Sequence, residues 1–286
     1  MGRVTTRVPV ARLSLAGGAV APSRPDALVV EEPLELRLRG EVLTVTMRTP
    51  GADIDLVHGY LLAEGVIRTA ADVVSARYCA GSVRANDGTA ANTYNVIDVD
   101  LGPSAAGRRA GGARLGLTTS ACGVCGTASI DALRDKLPAA GLADLEMPVT
   151  AEVVARMLAA LRAGQPVFDR TGGAHGAAVV DAAGRVRARA EDVGRHNAVD
   201  KAIGHLVRAG ETSPLGGSLV VSSRASYEIV QKAAVAGIPV VVAVSAPSSL
   251  AVEAARELGM TLLAFARDEG VNVYADRGRL AAGAAS

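Results

Sequence analysis

Four short, predominantly apolar runs constrain this chain more than any other feature: Ala177–Val180, Ser218–Val221, Val240–Val244 and Leu262–Phe265. Helix-like segments separate them, at roughly Ala151–Arg162, His196–Arg208, Tyr227–Ala236 and Ser249–Leu258, with another near Ala128–Lys136. Strands that lack a polar face must be buried on both sides, which calls for a parallel or mixed sheet between helices. Aromatic residues make up only 2% of the chain and Trp is absent, so Val, Leu, Ile and Ala must fill that core. The same scarcity removes the stacking platforms that a single-stranded nucleic-acid binder needs. With 30 Lys and Arg against 29 Asp and Glu, no global field gathers DNA or an anionic membrane. An anionic ligand must therefore be held by a local pocket.

The pattern upstream differs. Leu34, Leu36 and Leu38 alternate with Glu35, Arg37 and Arg39, and Gly40-Glu41 turns the chain into Val42–Thr46, which reads as a hairpin. Asp53–Ala63 follows as a short helix with Ile54, Val57, Leu61 and Leu62 on one face. Residues 102–114 are small and aperiodic, as in a linker or mobile loop. We expect a flexible leader over 1–26, a small α+β domain over 27–114, an α/β domain over 115–277 and a disordered tail over 278–286. No apolar stretch reaches the ~18–20 residues of a membrane span. Three cysteines make no disulfide framework, so a cytoplasmic protein with reduced thiols is expected.

The sharpest local motif is Thr118-Thr119-Ser120-Ala121-Cys122-Gly123-Val124-Cys125-Gly126. A zinc site needs about four ligands, and neither a second CxxC nor an HxxxH spacing accompanies this pair. A zinc deaminase would place His-x-Glu ahead of Pro-Cys-x-x-Cys, and that too is missing. A thioredoxin-like dithiol belongs after an early strand of a βαβ unit, whereas this pair sits mid-chain. A Gly-bounded thiolate leading into the helix near Ala128, its pKa lowered by the helix N-terminus, suits a persulfide carrier. Two buried structural thiols fit so polar a flank poorly. The residues alone point to reactive thiol chemistry and leave redox and sulfur transfer both open. Cys79 reads as a bystander.

Two polar clusters follow: Phe168–Gly176, with a Gly pair and His175, and Glu191–Lys201, which carries Glu191, Asp192, Arg195, His196, Asn197, Asp200 and Lys201. The second is dense for a solvated helix start and reads as a site. Val221–Arg224, Ser245–Ser249 and Phe265–Gly270 follow or end buried strands, where open α/β sheets collect ligands and helix N-termini bind phosphate. Arg224 and Arg267 can add charge there. Helix capping explains the serines equally well, and a Phe ending a buried strand is ordinarily core. No GxGxxG or GxxxxGK[ST] is present.

Together, Glu32-Pro33-Leu34, His58–Gly65, Ser120–Gly126, Thr171–His175, Glu191–Lys201, the Ser-Arg-x-Ser-Tyr-Glu run ending at Glu228, and Asn272-Val273-Tyr274 resemble the formate dehydrogenase accessory sulfurtransferases (FdhD). The match runs in order from about residue 27 to 277. The resemblance implies an α/β, cytidine-deaminase-like C-terminal domain, a mixed sheet between helices without zinc, beside a smaller α+β N-terminal domain. It implies that a cysteine desulfurase supplies sulfur as a persulfide, which passes to the molybdenum bis(molybdopterin guanine dinucleotide) cofactor of the formate dehydrogenase apoenzyme. Cys122 matches the family's persulfide cysteine and Cys125 its companion. Phe265, Ala266, Arg267, Asp268, Glu269 and Gly270 match the stretch that binds the guanine nucleotide moiety, and a homodimer is implied. No metal ligated by the protein, no nucleic acid and no membrane are expected. Ser223 stands where the family pattern leads us to expect Gly, and its Cβ is expected to restrict that loop. A carrier that only holds and delivers the cofactor is the alternative from another class, and a dithiol oxidoreductase is a third.

Overall fold

The computed structural model describes the chain except residues 1, 2, 19, 80, 85–89, 94, 106, 109–129, 131, 132, 140, 268 and 282–286; over 81–84 and 90–93 it describes the backbone alone. Its centre is a six-stranded mixed sheet in the order β10-β9-β11-β12-β13-β14, from β9 (His175–Val180), β10 (Val186–Asp192), β11 (Ser218–Val221), β12 (Val240–Ala243), β13 (Thr261–Arg267) and β14 (Gly270–Ala275). Strands β11, β12 and β13 are parallel, while β9, β10 and β14 pair antiparallel with their neighbours. The four apolar runs supply the central strands, buried on both faces as their composition requires. Alternation divides them between two cores. Ala177, Val179, Leu219, Val221, Val241, Ala243 and Leu262 face one, and Ala178, Val180, Val220, Val240, Val242 and Leu263 face the other.

The second core is covered by α2 (Ala151–Ala163), which lays Val153, Val154, Met157 and Leu161 on the sheet at helical spacing. Thr150 starts it by accepting a hydrogen bond from Val153 N at 3.3 Å. The first core is covered by α4 (Arg195–Arg208), α5 (Tyr227–Val235) and α6 (Ser249–Glu257). A short α3 (Pro166–Thr171) precedes β9.

A second sheet, in the order β4-β3-β8-β5, is built from β3 (Glu32–Leu38), β4 (Glu41–Arg48), β5 (Val73–Tyr78) and β8 (Val96–Leu101). Its hairpin turns on Arg39 and Gly40, both at positive φ (51° and 83°), one residue earlier than the sequence suggests. Helix α1 (Asp53–Ala63) has the expected bounds and joins this sheet to the first core. It meets α4 backbone to backbone. A Cβ on Gly204 would lie 1.8 Å from Asp55 O, and one on Gly59 would lie 2.0 Å from Asp200 O, so neither position tolerates a side chain. Strands β6 (Gly81–Arg84) and β7 (Ala90–Thr93) form a separate ladder.

Three segments expected to be loose carry structure. Residues 1–26 include β1 (Thr5–Val10) and the start of β2 (Arg24–Val29), which pair antiparallel. Val29 anchors this hairpin by packing on Gly173, where a Cβ would come within 2.8 Å of its Cγ1. In the expected linker, Gly102, Ser104 and Arg108 are tied to Asp72, whose carboxylate accepts from Ser104 Oγ at 2.7 Å and Arg108 Nη1 at 3.0 Å, and Ala105 is buried. The rest of that linker lies outside the described residues. In the expected tail, Arg279 is buried and donates to Leu145 O, Gly259 O and Leu142 O, while Leu280 pairs with Val149. No described helix is long and apolar enough to cross a membrane.

Candidate functional site

Parallel pairing puts the carboxyl ends of β11, β12 and β13 on one edge of the sheet. Because β9 runs antiparallel to β11, with Ala177 opposite Val221, its first residues lie on the same edge. Ser222, Val244, Ala266 and His175 therefore converge on a cavity of about 1260 Å³. Helix α2 forms one wall through Ala151, Ala155, Leu158 and Ala159, and Gln165, Phe168, Gly172 and Gly173 close one end. Arg267, Glu269 and Gly270 stand at the other. This is the position where open α/β sheets bind ligands.

The β13 end owes its shape to a bulge. Phe265 has φ +52°, rare for a bulky side chain, and the β13–β14 register shifts between Ala264 and Arg267. The extra residue rotates the strand, so Ala266 faces the same core as Leu263, and Phe265 is left 40% exposed instead of packed. Its backbone is fixed by a hydrogen bond from Phe265 N to Ser245 O at 3.2 Å. The core reading of Phe265 is thus corrected: the bulge turns the ring out. Of the matched stretch, Ala266, Arg267, Glu269 and Gly270 line the cavity, Phe265 is not among its lining residues, and Asp268 lies outside the described residues.

At the β9 end, Gly176 N donates to Ser222 Oγ at 2.9 Å and Ser222 N donates to Gly176 O at 3.0 Å. His175 lines the cavity half-buried. Burial lowers its pKa below the usual imidazole value, and Arg195 and His196 lower it further against the opposing Asp192. Ser223 is buried with its Oγ donating to Arg224 O at 3.1 Å, and its φ is not positive, so its Cβ brings no backbone strain to the loop as it stands. Arg224 is exposed and does not line the cavity.

The Glu191–Lys201 cluster does not converge on this cavity. Glu191 accepts from Val167 N and Phe168 N, both at 2.8 Å, and so caps α3. Lys201 is buried, pairs with Asp192 at 2.7 Å and donates to Thr49 O at 2.7 Å. Asn197 donates to Met47 O at 2.7 Å. These groups clasp the β4–α1 connection, so their density reflects a polar internal joint. Asp200, Lys232, His196 and Glu228 line a separate cavity of about 130 Å³ with Tyr60 and Glu64. There Lys232 donates to both Asp200 oxygens at 2.7 and 2.8 Å, and burial pushes the Asp200 carboxyl up to about 6.

Cys122 and Cys125 lie outside the described residues. The chain is described to Arg108, paired with Asp72, and again at Ile130, which is fully buried in the first core. Among the described residues no three His, Cys, Asp or Glu side chains converge as metal ligands. Sequence reading missed Gln165 and the α2 wall. Gln165-Pro166 closing an amphipathic helix was the available signal for a rigid corner.

Residues 29–281 match the model of the FdhD/NarQ family. The chain belongs to the FdhD/NarQ family. It is 52% identical over 283 residues to the sulfur carrier protein FdhD of Nocardia farcinica, covering 98% of this chain and 96% of that one. It is 48% identical to the sulfur carrier protein FdhD of Streptomyces coelicolor, covering 100% and 99% of the two chains, and 50% identical to that of Mycobacterium tuberculosis, covering 89% and 92%. Its fold is similar to a crystal structure from Desulfotalea psychrophila described as a formate dehydrogenase accessory protein. The TM-score is 0.68 at 22% identity, covering 98% of this chain and 100% of that one. This FdhD/NarQ member therefore carries its large cavity on a fold shared with a distant relative.

Proposed function

We propose that this FdhD/NarQ protein is a sulfur carrier that takes sulfur onto Cys122 as a persulfide and delivers it to a molybdenum cofactor held in the 1260 Å³ cavity. The observation that carries this reading is that the matched cofactor stretch borders the same cavity as His175 and Ser222, which come from distant parts of the sequence. The cavity's size and composition suit a long ligand with a guanine nucleotide at one end. Phe265 offers a ring face for a base, and Arg267 a charge for phosphate. Glu269 beside it favours phosphate contacts through backbone N–H groups.

In this reading the Cys122 thiolate attacks the outer sulfur of a cysteine desulfurase persulfide. The S–S bond breaks, the donor cysteine leaves as thiolate, and Cys122 gains the sulfur without net oxidation. Attack of Cys125 on the inner sulfur then releases the outer sulfur as sulfide and leaves a Cys122–Cys125 disulfide, which an external thiol reduces. The acceptor is the bis(molybdopterin guanine dinucleotide) cofactor destined for formate dehydrogenase, in the cytoplasm, and the working unit is a homodimer. The division into 27–114 and 115–277, and a cytidine-deaminase-like relationship of the latter, belong to the same reading. The six-stranded mixed sheet with helices on both faces supports it.

Calorimetric titration with GDP tests the cavity. Binding is expected for the wild type, and Ala155→Trp, which places a large ring from α2 in the cavity, should weaken it at least tenfold with the fold retained. GDP binding unchanged in Ala155→Trp would remove the cavity from the account.

A further inference from the structure

The chain contains only two phenylalanines, and neither is in the core: Phe168 is 39% and Phe265 is 40% exposed. Phe168 lines the cavity at the β9 end, and Phe265 directly precedes Ala266, which lines it at the β13 end. The strand order β9-β11-β12-β13 separates these ends by three inter-strand steps of about 4.8 Å, roughly 14 Å in all. One base cannot touch both.

The β9 end also holds an amide without a partner. Gln165 is 5% exposed and lines the cavity, and among the described residues its carboxamide has no hydrogen-bond partner. Its Oε1 and Nε2 are not among the buried, unpaired atoms of the described residues, so they open on the cavity and can pair with what it holds. Its placement is tightly determined. Gln165 precedes α3, whose first turn begins with Pro166 and is capped by Glu191. The missing side chain of Gly176 leaves the amide its room, since a Cβ there would lie 3.0 Å from Gln165 Nε2.

We infer that Gln165 and Phe168 form a second ring-binding subsite, which takes a planar heterocycle with a lactam edge. The ring stacks on Phe168. Gln165 Oε1 accepts from the lactam N–H while Nε2 donates to the adjacent carbonyl, a pairing only a donor–acceptor edge can complete. Guanine and pterin rings share this edge. The inference rests on the cavity being the cofactor site, and it adds a ring contact and an amide contact at the β9 end.

Two probes separate the sources: GDP, and free 6-hydroxymethylpterin followed by its fluorescence anisotropy. Gln165→Met keeps the length and removes both polar atoms, and Gln165→Asn keeps the amide but withdraws it by one carbon. Each is checked for an unchanged circular dichroism spectrum, so that if one fails to fold the other carries the test. Both variants should weaken one probe at least tenfold and leave the other within about twofold. Loss of pterin binding puts the pterin at Gln165 and the guanine at Phe265, and loss of GDP binding puts the ring order the other way round. Both probes binding the variants as tightly as the wild type would overturn the inference. Wild-type protein that binds neither probe would overturn the cofactor reading and this subsite with it.

Discussion

His175 shows how one side chain reports on the site around it. Burial holds its imidazole below the ordinary pKa, and Arg195 and His196 reinforce that shift. The unfolded chain therefore binds the proton more tightly than the folded one. The resulting stability is complete above pH 6.5 and is lost as pH falls from there toward the lowered folded value. His58, buried in α1 with its Nδ1 2.7 Å from Ile54 O, shifts in the same direction. Thermal melts of His175→Gln should show a shallower loss of Tm between pH 6.5 and 5 than the wild type, with the His58 share remaining. An unchanged slope would mean that His175 titrates as it does in the unfolded chain. At this scale the sequence was only half legible. His175 was visible as a candidate, yet nothing local distinguished it from Lys201, whose charge is spent inside the molecule on Asp192. Which polar group faces a cavity and which clasps a loop depends on contacts 140 or more positions away, as between Thr49 and Asp192, 143 positions apart.

Elements were far more legible. The bounds of α1 and the four buried strand runs follow from periodicity and length, since a strand buried on both faces has no polar face and reads as a near-continuous apolar run. The bulge at Phe265 was hidden, because a single extra residue leaves an apolar run looking continuous while reversing which face the next side chain takes. The β1–β2 hairpin was hidden for another reason: its strands are mostly exposed and hold their place through partners such as Gly173. The crossing of α1 and α4 makes the sharpest element-level prediction. Gly204→Ala places a methyl group 1.8 Å from the Asp55 carbonyl, so the helices must separate. Overpacking of this kind costs about 1–3 kcal/mol or more. A fall in Tm of about 3–10 °C is expected for a chain of this size. Gly17→Ala, where a Cβ meets nothing within 4 Å, serves as the neutral control. Equal melting of the two variants would show that α1 and α4 do not cross as closely as described.

For the whole molecule, the first apolar core runs from Leu34 in β3 to Ala275 in β14, so the small sheet and the large one are packed through shared residues of α1 and α4. Along the chain the Cys122–Cys125 motif falls between Arg108, paired with Asp72, and Ile130, buried in that core. In the proposed reading Cys122 is the carrier thiol, and family membership makes sulfur the cargo. The most direct test is an intact and peptide-level mass spectrum of the purified protein after incubation with cysteine and a cysteine desulfurase. The account predicts a gain of one sulfur atom, about 32 Da, on the Cys122 peptide, removed by reductant and absent in Cys122→Ala. A competent desulfurase that leaves the wild-type mass unchanged, or that loads the Cys122→Ala variant equally well, would contradict it.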